Sequence, residues 1–308
     1  MKKILVTGAS GLLGLNIAVE AAKDFEVYGV AHNNPVQSPD FTMLSGDLLA
    51  PGTIKQLFDQ TQPDWVIHCA ALTDLEVCET NPKLAEELNA DLPGRMADEA
   101  SRRGTRFVHI STDAVFDGQY GNYTEEDPPN PPNVYARTKL AGEQAVVAAN
   151  PDAIVARVNF YGWSLSGQRS LGEFFFNNLQ DGNQIKGFAD VYFSTLLAND
   201  LALILVKMLE SGLSGLNHVF SADVLSKYEF GVAIARRFGF DPDLIEPISV
   251  ADSHLKASRS PNLSMRTAKL VQALGQPTPT ISAGLDRFHK LYQQGYSKKL
   301  QTLLATVH

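Results

Sequence analysis

Through the first half of the chain, short runs of consecutive apolar residues alternate with segments whose apolar positions recur every three to four residues. That is the pattern of parallel strands joined by helices. Strands are predicted over residues 3–7, 26–31, 42–46, 65–70, 107–112 and 153–158. Unbroken runs such as Trp65-Val66-Ile67 suit strands covered on both faces of a sheet. Helices are predicted over 12–22, 53–60, 82–103 and 134–149, the last with Asn133 as its N-cap. A polar, proline-rich loop, 117–132, precedes that helix. Beyond residue 160 the regularity weakens. A glycine- and serine-containing stretch, 162–170, leads into an aromatic helix, and 198–209 carries an apolar stripe. Residues 226–238 read as a helix between Ser226 as N-cap and Gly239 as C-cap. The predicted fold class is α/β, a doubly wound parallel sheet with a smaller interleaved C-terminal lobe. The sheet domain is expected over 1–160, with part of 195–220 returning to it, and the lobe mainly over 161–308.

Composition narrows the function classes. The 308 residues are 44% hydrophobic and 19% charged, ordinary for a globular protein with a substantial core. A formal charge of −8 argues against a chain that tracks nucleic-acid phosphates. The two cysteines, Cys69 and Cys78, make no metal-ligand pattern, and Cys69 ends an apolar run, which suits a reducing compartment. The opening apolar stretch breaks at Thr7-Gly8, and no segment approaches the ~18 uninterrupted apolar residues of a membrane span. A cytoplasmic protein with no metal, no nucleic acid and no membrane partner is the expectation.

The segment Thr7-Gly8-Ala9-Ser10-Gly11-Leu12-Leu13-Gly14 places three glycines between a strand and a helix. A dinucleotide requires this: a tight turn, a backbone free of Cβ atoms against the pyrophosphate, and a helix N-terminus aimed at the anion. The Rossmann reading of the sheet rests on it. Gly8, Ser10, Gly11, Leu12, Leu13 and Gly14 are therefore candidate cofactor-binding residues. Where an acid usually binds the ribose of NAD, the second strand ends in Ala31-His32-Asn33-Asn34. The missing carboxylate removes a repulsion against a 2′-phosphate, so the cofactor expectation leans to NADP(H) over NAD(H), with His32 and Asn33 as hydrogen-bonding candidates. Yet no arginine precedes Arg95 to clamp that phosphate. Asp47, before Leu48, is placed either to accept from an adenine amino group or to serve as an ordinary turn aspartate.

Tyr135 and Lys139 stand four residues apart, on one face of a predicted helix. A phenol near pKa 10 is a poor acid or base at neutral pH, and a neighbouring ammonium lowers that value. Beside a nicotinamide, such a pair can supply the proton that accompanies hydride transfer to a carbonyl. A hydroxyl ending a nearby strand, Ser111 or Thr112, would hold the carbonyl oxygen. In the long helix, Pro93 lacks the N–H that would bond the Asn89 carbonyl, and the freed carbonyl is a candidate to orient Lys139 through water, or simply marks a kink.

These residues resemble the extended short-chain dehydrogenase/reductase superfamily, and within it the dTDP-4-dehydrorhamnose reductases. The likeness runs through residues 7–14, His68-Cys69-Ala70-Ala71, Thr73-Asp74-Leu75-Glu76, Ser111-Thr112-Asp113-Ala114-Val115-Phe116-Asp117-Gly118, Tyr135 to Lys139, Gly142-Glu143 and Arg259-Ser260-Pro261-Asn262. It implies a catalytic triad of Thr112, Tyr135 and Lys139. It also implies cofactor contacts at Ala70, Ala71 and Leu48, and a C-terminal lobe that binds a nucleotide-sugar. Substrate contacts are expected at Thr73, Thr112, Asp113, Ala114, Asn159 and Arg259. Ala114 replaces the usual aromatic residue, and Arg157-Val158-Asn159-Phe160 departs from the tryptophan-containing version, which bears on the sugar rather than on proton transfer. Related dehydratases carry Asp-Glu where this chain has Asp113-Ala114, which disfavours dehydration. The resemblance leaves open an epimerase of the same superfamily. It also leaves open a non-catalytic NADP-binding regulatory subunit, as in the beta subunit of methionine adenosyltransferase. Some members dimerise, so a homodimer is compatible with it.

Overall fold

A computed structural model of the chain describes residues 1–32, 36–252 and 260–303. Six strands in the first half, β1 (Lys3–Thr7), β2 (Glu26–Ala31), β3 (Thr42–Ser45), β4 (Trp65–His68), β5 (Arg106–Thr112) and β6 (Ile154–Val158), form one parallel sheet. Four short strands follow: β7 (Phe160–Tyr161), β8 (Ile185–Phe188), β9 (Tyr192–Phe193) and β10 (Leu196–Leu197). A seventh strand then joins the sheet, β11 (Gly215–Val219), and its order is β11-β6-β5-β4-β1-β2-β3. Strand order reverses between β1 and β4, and ligands of open α/β sheets bind in the crevice beyond the strand ends at such a point.

Alternation along the strands sorts side chains onto two faces. Ile4, Val6, Ile67, Val108 and Ile110 pack beneath α1 (Leu12–Ala21). Leu5, Val66, Phe107 and Val155 face the opposite layer, which includes α2 (Thr53–Thr61). The predicted single helix over 82–103 is not one helix. After α3 (Leu75–Thr80), which the pattern did not announce, α4 (Pro82–Glu86) passes through a π-turn at Glu87–Asp91 into α5 (Leu92–Arg102). Pro93 is the physical reason: it has no N–H for the Asn89 carbonyl, and the backbone widens so that the Leu92 N–H bonds the Glu87 carbonyl. The strand expected over 65–70 stops at His68, because the Thr7 hydroxyl oxygen takes the N–H groups of Cys69 and Ala70.

Helix α6 (Val134–Ala149) begins at Asn133, whose side chain accepts from the Ala136 N–H. The C-terminal part adds α7 (Leu171–Gln180), α8 (Ala198–Glu210) and α9 (Lys227–Phe238), with the minor strands β12 (Leu225–Ser226), β13 (Ile245–Ile248) and β14 (Asn262–Leu263). It closes with α10 (Ala268–Leu274), α11 (Ile281–Gln293) and α12 (Tyr296–Thr302). Ser226 caps α9 in a full capping box with Glu229, and Gly239 ends it in the left-handed conformation. Aromatic side chains from this part (Trp163, Phe176, Phe238 and Phe288) pack together and continue the core beneath α1 and α8. Among the described residues no helix is long and apolar enough to cross a membrane.

Candidate active site

The glycine turn follows directly from β1. Gly8 sits at φ +65°, where a Cβ would lie 2.8 Å from the Ala70 nitrogen, and a Cβ on Gly14 would lie 2.4 Å from the Gly8 carbonyl oxygen. Only glycine lets the turn, the first helix and the chain after β4 approach this closely. The N-cap of α1 is Gly11, with no side chain capping the first turn, so its leading N–H groups face the cleft without a protein acceptor. The turn therefore fits the pyrophosphate of a dinucleotide on this chain's own geometry.

The cleft beyond the strand ends measures about 660 Å³. Gly8, Ser10, Gly11, Leu12, Leu13 and Gly14 line it at one end, and His32, Asp47 and Leu48 reach it from the neighbouring strands. Ala70, Ala71 and Thr73 lie along its middle, and Thr112, Asp113, Tyr135, Lys139 and Asn159 close the far end. Ala114 does not line it. It belongs to the 3-10 turn Asp113–Val115, and its N–H is bonded back to the Thr112 hydroxyl oxygen at 3.1 Å. Asn33 and Arg259 lie outside the described residues. Asp47 takes the turn role at one oxygen, where Oδ1 accepts from the Leu49 N–H at 2.9 Å.

Successive residues of a strand point to opposite faces, and this separates the two hydroxyl candidates. Ser111 turns under α6, where its hydroxyl donates to Glu143 Oε1 at 2.5 Å. Thr112 is the one that faces Tyr135, and its hydroxyl pulls the phenol's pKa down. Thr112 also donates to Asp113 Oδ1 at 3.1 Å, and Asn159 Nδ2 donates to Asp113 Oδ2 at 2.8 Å. Burial pushes the Asp113 carboxyl up to about 6, against the lowering pull of those two hydrogen bonds.

Lys139 is buried, and its ammonium donates to the Ile110 carbonyl at 2.7 Å, with His109 Nε2 at 3.4 Å. Burial brings its pKa down to about 8, while the Glu143 carboxylate works in the other direction. Tyr135 moves the opposite way from expectation. Loss of water around the phenol pushes it up to about 12, and the Thr112 hydrogen bond only partly offsets that. In the free chain desolvation dominates, so Tyr135 is held protonated.

Helix α6 is set down on the sheet by a buried ion pair. Arg157 of β6 grips Glu143 through two bonds, Nε to Oε1 at 2.9 Å and an outer nitrogen to Oε2 at 2.8 Å. Tyr135, Lys139 and Glu143 follow at four-residue intervals on one helix face. The π-turn supplies the second brace. The Asn89 side chain accepts from the Leu72 N–H at 2.8 Å and donates to the Leu72 carbonyl at 2.9 Å and to Thr138 Oγ1 at 3.2 Å. Its backbone carbonyl abuts Gly142, where a Cβ would come within 2.1 Å of the oxygen. The direct partners of the Lys139 ammonium are Ile110 and His109, not this carbonyl.

The lining residues that escaped the sequence reading include Arg169, Ser170 and Leu171, at the start of α7. The signal was present as Ser170-Leu171-Gly172-Glu173, a capping box. Buried Glu173 accepts from the N–H groups of Ser164, Arg169 and Ser170, which folds the loop so that exposed Arg169 borders the cleft.

Comparison with known proteins places this architecture. The sequence profile of the RmlD substrate binding domain matches residues 1–294. The chain belongs to that family. Its relatives include the "probable low-salt glycan biosynthesis reductase Agl14" of Haloferax volcanii, 33% identical over 91% of this chain and 95% of its own. They also include the beta subunit of methionine adenosyltransferase 2 from Bos taurus, 31% identical over 90% of this chain and 84% of its own. Among solved structures, the dTDP-4-dehydrorhamnose reductase of Bacillus anthracis in complex with NADP superimposes with a TM-score of 0.80 at 25% identity. That match covers 94% of this chain and 99% of the other. The RmlD-family chain described here is thus an α/β protein of the Rossmann-like reductase and epimerase type.

Proposed function

We propose that this chain reduces a 4-keto-6-deoxy nucleotide-sugar with NADPH as hydride donor. One observation carries the reading: the Thr112 hydroxyl, the Tyr135 phenol and, on the same helix face as Tyr135, Lys139 line the cleft that begins at the glycine turn. Thr112 and Tyr135 are the donors for the carbonyl oxygen, and Tyr135 gives up the proton that becomes the new hydroxyl. The nicotinamide supplies the hydride when bound. A phenol held protonated is suited to the donor role, and the ammonium of Lys139 favours the phenolate once the proton has left. The glycine turn holds the pyrophosphate at the N-terminus of α1, and Ala70 and Ala71 border the path between that turn and the triad. Asp113, Asn159 and Thr73 face the sugar, and Arg259 is assigned to its diphosphate. NADP(H) is preferred to NAD(H) because no carboxylate ends β2, where His32 stands. Likeness to the B. anthracis reductase, which is in complex with NADP, supports both the activity and the cofactor.

The relationship to the methionine adenosyltransferase beta subunit favours a second reading, a cofactor-binding regulatory chain. Purified protein assayed for NADPH oxidation against a panel of 4-keto-6-deoxy nucleotide-sugars separates the two. Oxidation with one member supports reduction. Tight NADPH binding with no oxidation by any member selects the regulatory reading.

A further inference from the structure

Thr7, His68 and His109 stand level on β1, β4 and β5: Thr7 pairs with His68, and His68 with His109, in the parallel register. Residues in register share a face, and this is the face on which Leu5, Val66 and Phe107 pack. Two residues along from each of these, the apolar rows give way to three polar side chains that are at most 1% exposed. Buried polar atoms are costly unless partnered, so their hydrogen bonds can be counted out.

The proton positions follow. Thr7 Oγ1 accepts from the N–H groups of Cys69 at 3.1 Å and Ala70 at 3.2 Å, which occupies both lone pairs. Its own hydrogen is therefore assigned to His68 Nδ1, 2.7 Å away, which puts the His68 proton on Nε2, an atom with no hydrogen-bond partner among the described residues. His109 lies beside His68, ring centroids 5.8 Å apart and planes 25° from parallel. The opposite edge of His109 presents Nε2 to the Lys139 ammonium at 3.4 Å. A neutral ring that accepts at Nε2 bears its hydrogen on Nδ1.

We propose that His109 is a positioning residue for Lys139, its Nε2 and the Ile110 carbonyl together fixing the ammonium, with His68 and Thr7 backing the ring. The proposal deepens the reductase reading and rests on it for its kinetic consequence alone. A neutral imidazole is the fitting partner here because it accepts from the charged lysine without bringing a charge of its own into the buried site. Lys139 is thus held in place by two acceptors, Nε2 of His109 and the Ile110 carbonyl. The remaining groups around it set the balance: Glu143 from its own helix, already gripped by Arg157 of β6, and the Cys69 thiol after β4. Burial and the lysine's own charge keep both rings neutral, with His68 pressed down to about 3 and His109 also well below the usual value.

Nuclear magnetic resonance on the resting chain tests this without substrate. Ring-nitrogen spectra of wild-type protein are expected to show His109 neutral with hydrogen on Nδ1 while Lys139 is charged. Labelled lysine side chains then report the Lys139 titration, assigned with Lys139→Arg. His109→Leu should lower the Lys139 pKa by about one pH unit, a tenfold change in its protonation equilibrium, and His109→Gln, whose amide both accepts and donates, should restore it. An unchanged Lys139 titration in His109→Leu overturns the proposal. So does a wild-type His109 bearing hydrogen on Nε2 opposite a charged lysine, which decides the matter even where the leucine variant fails to fold. In the reductase assay, kcat should fall about tenfold in His109→Leu with KM held, and recover in His109→Gln. Absence of any reductase activity would sink the proposed function and leave the two spectroscopic outcomes standing.

Discussion

Two side chains four residues apart are displaced in opposite senses by one cause. Removing water raises the phenol of Tyr135 to about 12 and lowers the ammonium of Lys139 to about 8. Tyr135→Phe removes the proton donor and little else, so kcat should drop by about 10²–10⁴ with NADPH affinity unchanged, read by steady-state kinetics and cofactor titration. Lys139 also carries a stability cost whose sign can be worked out. Its pKa is depressed from 10.5 to about 8 on folding, so relative to a neutral side chain the penalty is absent above 10.5 and complete below about 8. The ceiling is roughly 3 kcal/mol, less ~1 kcal/mol for an Ile110 carbonyl left without its donor. Lys139→Met should therefore be more stable than wild type at pH 7 by up to about 2 kcal/mol in urea unfolding, with the gap closing as pH rises toward 10.5. Of the candidate triad, Tyr135 and Lys139 were legible from their spacing, whereas Thr112 was reached only as a strand-end hydroxyl and through the resemblance. The direction of the tyrosine's shift was not legible, because desolvation is a property of what surrounds the ring.

At the scale of elements, six strands of the main sheet and the helix bearing Tyr135 and Lys139 were visible in the apolar pattern, and the π-turn was not. Asn89 and Pro93 announce only a missing hydrogen bond. How the backbone absorbs the loss depends on Leu72 and Gly142, far along the chain in one case and on another helix in the other. Asn89→Ala leaves the Leu72 N–H unsatisfied and its carbonyl with only the Cys78 thiol as donor, an expected loss of about 1–3 kcal/mol in denaturant unfolding. Gly142→Ala drives a methyl group into a backbone oxygen, and neither helix can yield by a rotamer change. Its expected cost is about 3 kcal/mol or more, with reduced turnover because α6 carries Tyr135 and Lys139. A stability matching wild type in that variant would mean the two helices do not touch as described.

The whole molecule reads less easily from sequence, since its second half is interleaved with the first. Helix α8 lies on the same sheet face as α1, β11 extends the sheet edge, and the C-terminal helices reach back across the fold. Arg287 of α11 binds Glu20 of α1 and Asp200 of α8, and Tyr296 of α12 donates to Asn16. Lys299 pairs with Asp40 beside the loop that follows β2. Such contacts join residues up to 280 positions apart, which no local pattern can announce. One core implies one transition: calorimetry should give a single unfolding peak with calorimetric and van't Hoff enthalpies equal. NADPH should move that peak upward in step with ligand concentration. Two separated peaks would show that the halves fold apart.

The ion pair between Glu143 and Arg157 has a bearing on descent. Because the face that carries the triad is continued by a residue the core needs, selection for folding alone preserves much of what looks like a catalytic signature. A lineage freed from turnover would shed its machinery in a definite order. Tyr135, whose hydroxyl braces no other element of the core, drifts first, and Glu143 with Arg157, a buried ion pair, endures longest. Across descendants of such a fold, the fate of one phenol is the sharper record of whether chemistry was kept.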